Sequence, residues 1–197
     1  MSDPIPPSPS MDEAGLKHFK EILPESRCYM EYGSGGSTVF AAMVAKVHTI
    51  ISVDSDRQWV ESVGNAVSGG SSKVLIEHCD IGPVGEWGKP IDRTGIENYW
   101  RYMAHPWGVA MAHGLVPDTI LIDGRFRVAS FLFTLLNARL GTRVLFDDYF
   151  DRPFYFVAER FCDVSERHGR MAQFSVTKQF STREICEQIA RYSVVVD

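Results

Sequence analysis

The 197-residue sequence lacks the features of several large protein classes. Its formal net charge is −5, so it has no general electrostatic attraction to nucleic acids or anionic membranes. No apolar run approaches the ~20 residues that span a bilayer. The start, MSDPIPPSPS, has neither a basic n-region nor an apolar h-region, so we expect no signal peptide. These absences predict a cytoplasmic protein without a nucleic-acid or membrane partner.

Closely spaced cysteine pairs and a P-loop are also missing. Cys28, Cys79, Cys162 and Cys186 are far apart and form no C-x-x-C pair. Cys28 and Cys79 lie in apparent strands, so we expect buried thiols in a reducing cytosol. The pattern G-x-x-x-x-G-K-[ST] does not occur, which argues against a P-loop NTPase.

The hydrophobic pattern predicts a single domain over 11–197 that follows a flexible lead-in, 1–10. Short apolar runs alternate with helical patterns, which predicts an α/β fold with a doubly wound, mostly parallel sheet and helices on both faces. About seven strands are expected, the last of them antiparallel. The predicted strands are 28–32, 48–53, 73–78, 119–122, 143–146, 171–177 and 192–196. Helices are predicted from the capping box at Ser10–Glu13 and over 39–47, 57–67, 96–103, 128–140, 154–162 and 182–189.

The most informative stretch is YMEYGSGGST, which begins at Tyr29 and is followed by TIISVD, ending at Asp54. It predicts a strand, a glycine turn and a helix start, then a second strand that ends in an acid. Turn glycines let backbone N–H groups approach a ligand, and the helix N-terminus adds partial positive charge. Asp54 stands 21 residues after Gly33, where an open α/β sheet places the carboxylate that holds a ribose diol. A nucleoside-bearing cofactor is the leading interpretation, and a turn that only connects strand to helix is the alternative.

The turn departs from the dinucleotide fingerprint G-x-G-x-x-G at its third glycine, where Thr38 stands. Its form E-x-G-x-G-G-S-T, with Glu31 two residues ahead of the turn, resembles motif I of class I S-adenosylmethionine-dependent methyltransferases. The resemblance covers about residues 28–148, and motif I is its only specific part. In that family the turn approaches the methionine part of the cofactor, and the acid after the second strand holds the ribose hydroxyls.

The resemblance implies S-adenosylmethionine as cofactor, with binding residues at the ends of four strands. Asp80 matches the acid that contacts the adenine amino group, with Cys79 or Ile81 lining the ring. Asp123 matches the acid that faces both methyl donor and acceptor, and it is a predicted catalytic residue. The predicted cofactor-binding residues are Glu31, Gly33, Ser34, Gly35, Gly36, Ser37, Asp54, Ser55, Cys79, Asp80, Ile81 and Asp123.

Acids also follow the fifth strand, as the pair Asp147-Asp148. In the catechol O-methyltransferase-like branch, an Asp after strand four and an Asp-Asn pair after strand five hold a divalent cation. This chain has Asp-Asp there, and Arg125, Arg127 and Arg152 would compete with a metal for the carboxylates. We therefore predict that no metal is bound, with a divalent cation as the alternative. The arginines either hold a turn by salt bridges or form a pocket for an anionic substrate.

Residues 82–117 form a long connection rich in aromatic side chains and turn formers. Aromatic residues are typical of binding clefts, so this segment is the predicted lid over the cofactor edge and the source of acceptor selectivity. Such residues also fill cores and dimer interfaces, which leaves a homodimer open. His105 is a candidate general base, because imidazole titrates near neutral pH.

These observations predict an enzyme that transfers a methyl group to an unidentified small molecule. The sulfonium cofactor makes the methyl group electrophilic, so the protein needs mainly to align the acceptor and remove a proton. One alternative is a non-catalytic member of the fold that binds the cofactor or a partner. A second is an NAD-dependent oxidoreductase, which Thr38 and the acids after strands three and four disfavour.

Overall fold

The computed structural model describes Ile5 and residues 8–197 of the chain. The predicted lead-in, 1–10, lies largely outside the described residues. The described part forms one seven-stranded sheet in the order β3-β2-β1-β4-β5-β7-β6. The strands are β1 Cys28–Tyr32, β2 Thr49–Asp54, β3 Lys73–His78, β4 Thr119–Ile122, β5 Arg143–Phe146, β6 Val164–His168 and β7 Met171–Ser175. Strands β1 to β5 pair in parallel and β7 pairs antiparallel with β5 and β6, which confirms the predicted fold class.

Helices cover both faces of this sheet and divide its core in two. They are α1 Glu13–Ile22, α2 Gly36–Val39, α3 Arg57–Val67, α4 Tyr99–Ala112, α5 Arg127–Asn137 and α6 Thr182–Tyr192. Alternate strand residues face opposite sides, so Tyr29 and Ile50 pack with Phe19 of α1, whereas Met30 and Ile51 pack with α4 and α5. Burial on both faces explains why these strands read as continuous apolar runs. In the described part of the chain, no helix has the length and hydrophobicity needed to cross a membrane.

The prediction of strands near the C-terminus was partly wrong. Residues 192–196 form no strand, and their valines are 37–46% exposed after the end of α6. The missing strand is β6, which lies at the sheet edge and pairs with β7 around a tight turn at Gly169, where φ is +60°. Its sequence VSERH is mostly polar because one face meets solvent, so it lacked the apolar signal of a strand.

Two helix starts also differ from the prediction. Asp12, not Ser10, is the N-cap of α1, and its carboxylate accepts a hydrogen bond from Gly15 N at 2.9 Å. The helix expected over 39–47 begins earlier, at Gly36, and continues as a π-helical turn over Phe40–Val44. The helical start therefore lies directly on the glycine turn, which places its first N–H groups at the site.

The connection 82–117 contains short 3-10 turns at Glu86–Gly88 and Ile96–Asn98 and then the long helix α4. The predicted helix over 96–103 was too short, because α4 continues to Ala112. Pro106 lies buried inside α4, where its missing N–H costs one backbone hydrogen bond. Tyr32 anchors this helix to β1, since its hydroxyl donates to Met103 O at 2.8 Å and accepts from Trp107 Nε1 at 3.0 Å.

Candidate functional site

The carboxyl ends of the parallel strands bring the glycine turn and the predicted acids to one edge. Tyr32 pairs with Val53 of β2 and with Ile122 of β4, so Gly33, Asp54 and Asp123 follow strands that end side by side. Ligands of open α/β sheets bind at this edge, where the strand order reverses. The predicted arrangement of the turn and these acids is therefore present in the structure.

Gly33 and Gly124 form a contact between the turns that follow β1 and β4. Gly33 has φ +91°, and a Cβ on it would lie 2.9 Å from both N and Cα of Gly124. Side chains larger than hydrogen cannot fit between the two backbones. The floor of the site is thus made of main-chain atoms.

Glu31 supports the glycine turn from below. Its carboxylate is fully buried and accepts hydrogen bonds from Tyr29 Oη at 2.8 Å, from Ser37 Oγ at 2.6 Å and from the Thr38 hydroxyl. Burial raises the pKa of Glu31 above its ordinary value, although these hydrogen bonds oppose that shift. Glu31, predicted to bind cofactor, therefore holds the turn in this structure.

Thr38 has a structural role that the sequence analysis missed. Its Oγ1 accepts a hydrogen bond from Gly35 N at 2.9 Å while its hydroxyl donates to Glu31. The residue that replaces the third glycine thus ties the turn to the buried carboxylate. The sequence feature that could have indicated this role is a hydroxyl residue seven positions after Glu31.

Asp54 binds the glycine turn directly. Its Oδ2 accepts from Ser34 N at 2.9 Å, and its Oδ1 accepts from Asp56 N at 3.1 Å. Burial raises the pKa of Asp54, and these backbone N–H groups partly offset the effect. The turn and the second-strand acid are therefore one hydrogen-bonded unit.

The segment 82–98 folds over this unit. Ser55 Oγ donates to Gly88 O at 2.8 Å, and a Cβ on Gly88 would lie 3.3 Å from Asp54 Oδ1. Gly88 has φ +66° and so adopts the left-handed conformation that glycine favours. The predicted lid segment therefore contacts Asp54 and Ser55.

The residues after β3 divide between core and surface. Cys79 and Ile81 are buried in the core, whereas Asp80 is exposed and accepts a hydrogen bond from Gly82 N at 2.9 Å. Ile81 O packs so closely on Gly95 that a Cβ there would overlap with it. Asp80 is available at the rim of the site, and the adenine contacts remain a prediction.

Tyr102 of α4 reaches the centre of the site, which the sequence analysis did not single out. Its side chain is 1% exposed, and a Cβ on Gly124 would overlap with its hydroxyl oxygen. Burial raises the pKa of Tyr102 well above its ordinary range, with the carboxylate of Asp54 acting in the same direction. The aromatic richness of 82–117 pointed to this helix but not to this residue.

The three acids expected to hold or exclude a metal do come together. One carboxylate oxygen each from Asp123, Asp147 and Asp148 lies within 4.8 Å of the others. Arginines occupy the space between them: Arg127 is 3.1 Å from Asp123 and 3.1 Å from Asp148, Arg170 is 2.6 Å from Asp147, and Arg152 is 2.9 Å from Asp148.

Of the three predicted arginines, Arg127 and Arg152 pair with the acids and Arg125 does not. Arg125 donates to the backbone oxygen of Asp197 rather than to the acids. Arg170, which directly precedes β7, pairs with Asp147 instead. Arg170 was missed because it reaches Asp147 only through the antiparallel pairing of β7 with β5. The arginines act here as salt-bridge partners of the acids.

The pKa of Asp123 is shifted towards neutrality. Burial raises it to about 7, and the neighbouring carboxylates of Asp147 and Asp148 add to the increase, while Arg127 opposes it. The side chain is still 28% exposed, so it can exchange protons with solvent. A carboxylate with this pKa is suited to accept a proton at neutral pH.

His105 lies in a different group from Asp123. Its Nε2 is 4.0 Å from Glu77 Oε2 and makes no hydrogen bond, and the ring lines an open cavity with Trp100, Arg101 and His113. The structure therefore does not bring the two predicted catalytic residues together. Tyr102 of α4, not His105, reaches the turn after β4 at Gly124.

Comparisons with known proteins agree with this geometry. No protein-family model matches the sequence, and no curated protein matches it significantly. Among solved structures, an RNA methyltransferase from Salinibacter ruber in complex with S-adenosyl-L-homocysteine aligns with a TM-score of 0.51 and 11% identity, covering 88% of this chain and 97% of that chain. That likeness shows the fold alone.

A second solved structure is much more similar. It is a methyltransferase-like protein from Silicibacter pomeroyi, with 31% identity and a TM-score of 0.84, and the alignment covers 95% of this chain and 97% of that chain. The E-x-G-x-G-G-S-T turn of this chain, which rests on Glu31, points to the same family. The chain therefore belongs to the class I S-adenosylmethionine-dependent methyltransferase family.

Proposed function

We propose that this protein transfers the methyl group of S-adenosylmethionine to a small-molecule acceptor in the cytoplasm. The observation that carries the proposal is the hydrogen bond from Ser34 N to Asp54, which joins the glycine turn to the ribose acid. A net charge of −5 and the cover formed by 82–98 favour a small acceptor over a nucleic acid. The described cysteines are all free thiols, as in a reducing compartment.

The residues have separate tasks in this reaction. When bound, S-adenosylmethionine supplies an electrophilic methyl group on a sulfonium. The glycines of the turn at Gly33–Gly36 give the cofactor a close approach to the backbone, and Asp54 accepts from ribose hydroxyls. Asp123 faces the reacting end and accepts the proton of the acceptor, because its pKa is raised to about 7.

We propose that the acids Asp123, Asp147 and Asp148 work without a metal. Arg127 and Arg170 neutralise them at distances of 2.6–3.1 Å. The amide ligand of the metal-dependent branch is also missing, since Asp148 stands at its position. A homodimer remains a prediction without support from the described contacts.

Calorimetry on purified protein tests the cofactor assignment. We expect S-adenosylmethionine to bind at one site per chain and NAD not to bind. The variant Asp54→Ala should weaken binding by about 1–3 kcal/mol, the range for a hydrogen bond to a charged group. The exposed Asp163→Ala is the control and should bind like wild type. Equal affinity in wild type and Asp54→Ala would remove the assignment, and binding without methyl transfer to any acceptor would favour a non-catalytic member.

The raised pKa of Asp123 predicts that the binding affinities of S-adenosylmethionine and S-adenosylhomocysteine depend differently on pH. Above pH 7 the ionised carboxylate attracts the sulfonium cation of S-adenosylmethionine, and below pH 7 protonation removes that attraction. We expect its affinity to fall roughly tenfold from pH 8 to pH 6, which corresponds to about 1.4 kcal/mol. S-adenosylhomocysteine has a neutral sulfur and is the matched control. The profiles should converge in Asp123→Asn, and parallel profiles in wild type would place Asp123 away from the sulfonium.

A further inference from the structure

A pair of stacked histidines connects helix α1 to the edge strand β6, away from the cofactor edge. The rings of His18 and His168 lie 3.5 Å apart between centroids and are tilted by 8°. Each Nε2 faces an oxygen atom: that of His18 lies 2.8 Å from Gln173 Oε1, and that of His168 lies 3.1 Å from Glu166 Oε2. Two imidazoles and one carboxylate thus lie side by side.

The donor atoms of these side chains are close enough to share one ion. One ligand atom each from His18, Glu166 and His168 lies within 4.8 Å of the others. Ligands around tetrahedral zinc stand roughly 3.3 Å apart, given metal–ligand distances of about 2.0–2.2 Å. A shared ion lies in the plane of each imidazole that binds it, so at least one ring must turn out of the stacked arrangement. His168 and Glu166 have room to move, since they are 24% and 51% exposed.

We propose that His18, Glu166 and His168 form a site for a divalent transition metal of the zinc type. Two histidines and one glutamate supply three ligands, and water completes the tetrahedron. Imidazole nitrogens select zinc-like ions over Mg²⁺, which prefers oxygen ligands. Binding requires each ring to present the Nε2 lone pair, so the Nε2–H bonds to Gln173 and Glu166 are given up.

Gln173 orients the carboxylate of this site. Its Nε2 donates to Glu166 Oε1 at 2.6 Å, which leaves Oε2 turned towards His168. The side chain of Gln173 is 8% exposed, so it is fixed by its surroundings on β7. Hydrogen bonds of this kind fix the ligands of known metal sites and raise their affinity.

The position of the site gives it a structural task. It joins α1 to the β6–β7 hairpin, and the turn of that hairpin leads into Arg170. Arg170 N donates to Asp12 Oδ2 at 3.0 Å, and its guanidinium binds both Ser10 O and Asp147. A metal that holds this hairpin against α1 would therefore also fix the arginine that neutralises Asp147.

The three acids after β4 and β5 are the other group of potential metal ligands among the described residues, and they differ from the histidine site. Asp123, Asp147 and Asp148 offer oxygen atoms alone and already pair with arginines. In the described part of the chain, the hydrogen bonds and ring contacts of the histidine site are to Gln173 and among its three ligands, and none comes from a lysine or an arginine. The two clusters therefore differ in both ligand chemistry and charge compensation.

The test is a zinc titration of tag-free full-length protein that has been stripped with a chelator. Calorimetry should give one Zn²⁺ per chain, no binding of Mg²⁺, and a higher melting temperature with Zn²⁺. Substituted Co²⁺ should show the visible absorption of a tetrahedral ion. His18→Gln and His168→Gln should each weaken Zn²⁺ binding roughly tenfold or more. His113→Gln, which removes a histidine from another cavity, should bind like wild type.

Circular dichroism shows whether each variant is folded, and Glu166→Gln provides a ligand variant at an exposed position. The proposal is overturned if wild type binds no Zn²⁺. It is equally overturned if the histidine variants, folded, bind Zn²⁺ as tightly as wild type. Binding of S-adenosylmethionine is measured separately and does not decide this outcome.

Discussion

The variant Gly33→Ala should be strongly destabilised, whereas Gly35→Ala should fold normally and lose the cofactor. At Gly33, φ is +91° and a Cβ would lie 2.9 Å from the backbone of Gly124. The left-handed conformation costs roughly 1–2 kcal/mol for a non-glycine residue, and the clash adds about 1–3 kcal/mol. Urea unfolding should therefore show a loss of about 2–5 kcal/mol.

At Gly35 the protein has room for a methyl group. The nearest atom to a Cβ there is Cζ2 of Trp59 at 3.6 Å, an ordinary contact. We expect the free energy of unfolding to change by only about 0.5 kcal/mol. The new Cβ would instead occupy the path of the cofactor, so calorimetry should detect little or no S-adenosylmethionine binding.

Gly114→Ala is the matched control, because it measures the cost of the left-handed backbone conformation alone. Gly114 has φ +63°, but a Cβ on it would meet nothing within 4 Å. Gly114→Ala therefore carries the conformational cost without the clash, and it should lose less stability than Gly33→Ala. Equal losses in both variants would mean that the contact with Gly124 is unimportant. Normal cofactor binding by Gly35→Ala would show that the ligand does not approach this turn.

Replacing Arg127 by methionine should cost about 3–5 kcal/mol, since it leaves Asp123 without its arginine and removes one of the three arginines that pair with Asp148. Arg127 is 4% exposed and binds Asp123 and Asp148 at 3.1 Å each, with further bonds to the carbonyls of Gly124 and Asp147. Methionine keeps much of the side-chain volume but removes the charge. Urea unfolding at neutral pH is the measurement.

The same variant tests whether arginine excludes a metal. Wild type should show no saturable Mg²⁺ binding, whereas Arg127→Met should bind Mg²⁺ and regain part of its stability, because Asp123 then lacks its arginine and the three acids keep only Arg152 and Arg170. The control is Arg183→Met, which removes an exposed ion pair with Glu187 and should cost less than about 0.5 kcal/mol. Saturable Mg²⁺ binding by wild type would move the protein to the metal-dependent class.

Local signals were sufficient for most of the sheet. Strands β1, β3, β4 and β5 and helix α3 have the predicted bounds, because each combines a clear apolar pattern with a turn or cap at its end. The predicted helix 96–103 missed the second half of α4, which continues through the buried Pro106 to Ala112. The edge strand β6 was missed because half of its surface meets water.

The site was predictable where its chemistry follows the chain order of strand ends. Gly33, Asp54 and Asp123 needed only the rule that parallel strands end at one edge. Tyr102 and Arg170 enter the site through helix packing and antiparallel pairing, which no local pattern encodes. His105 was the candidate general base, but it lies three residues further along α4 than Tyr102, with its Nε2 4.0 Å from Glu77 Oε2.

The main-chain contact between Gly33 and Gly124 also has a genetic consequence. When two side chains clash, a smaller residue at the partner position can restore the fit. Here the partner is already glycine, so no substitution at Gly124 can suppress a defect at Gly33, or the reverse. Relief would require separating β1 from β4, which are paired from Tyr29 to Tyr32. A selection for revertants should therefore return glycine itself.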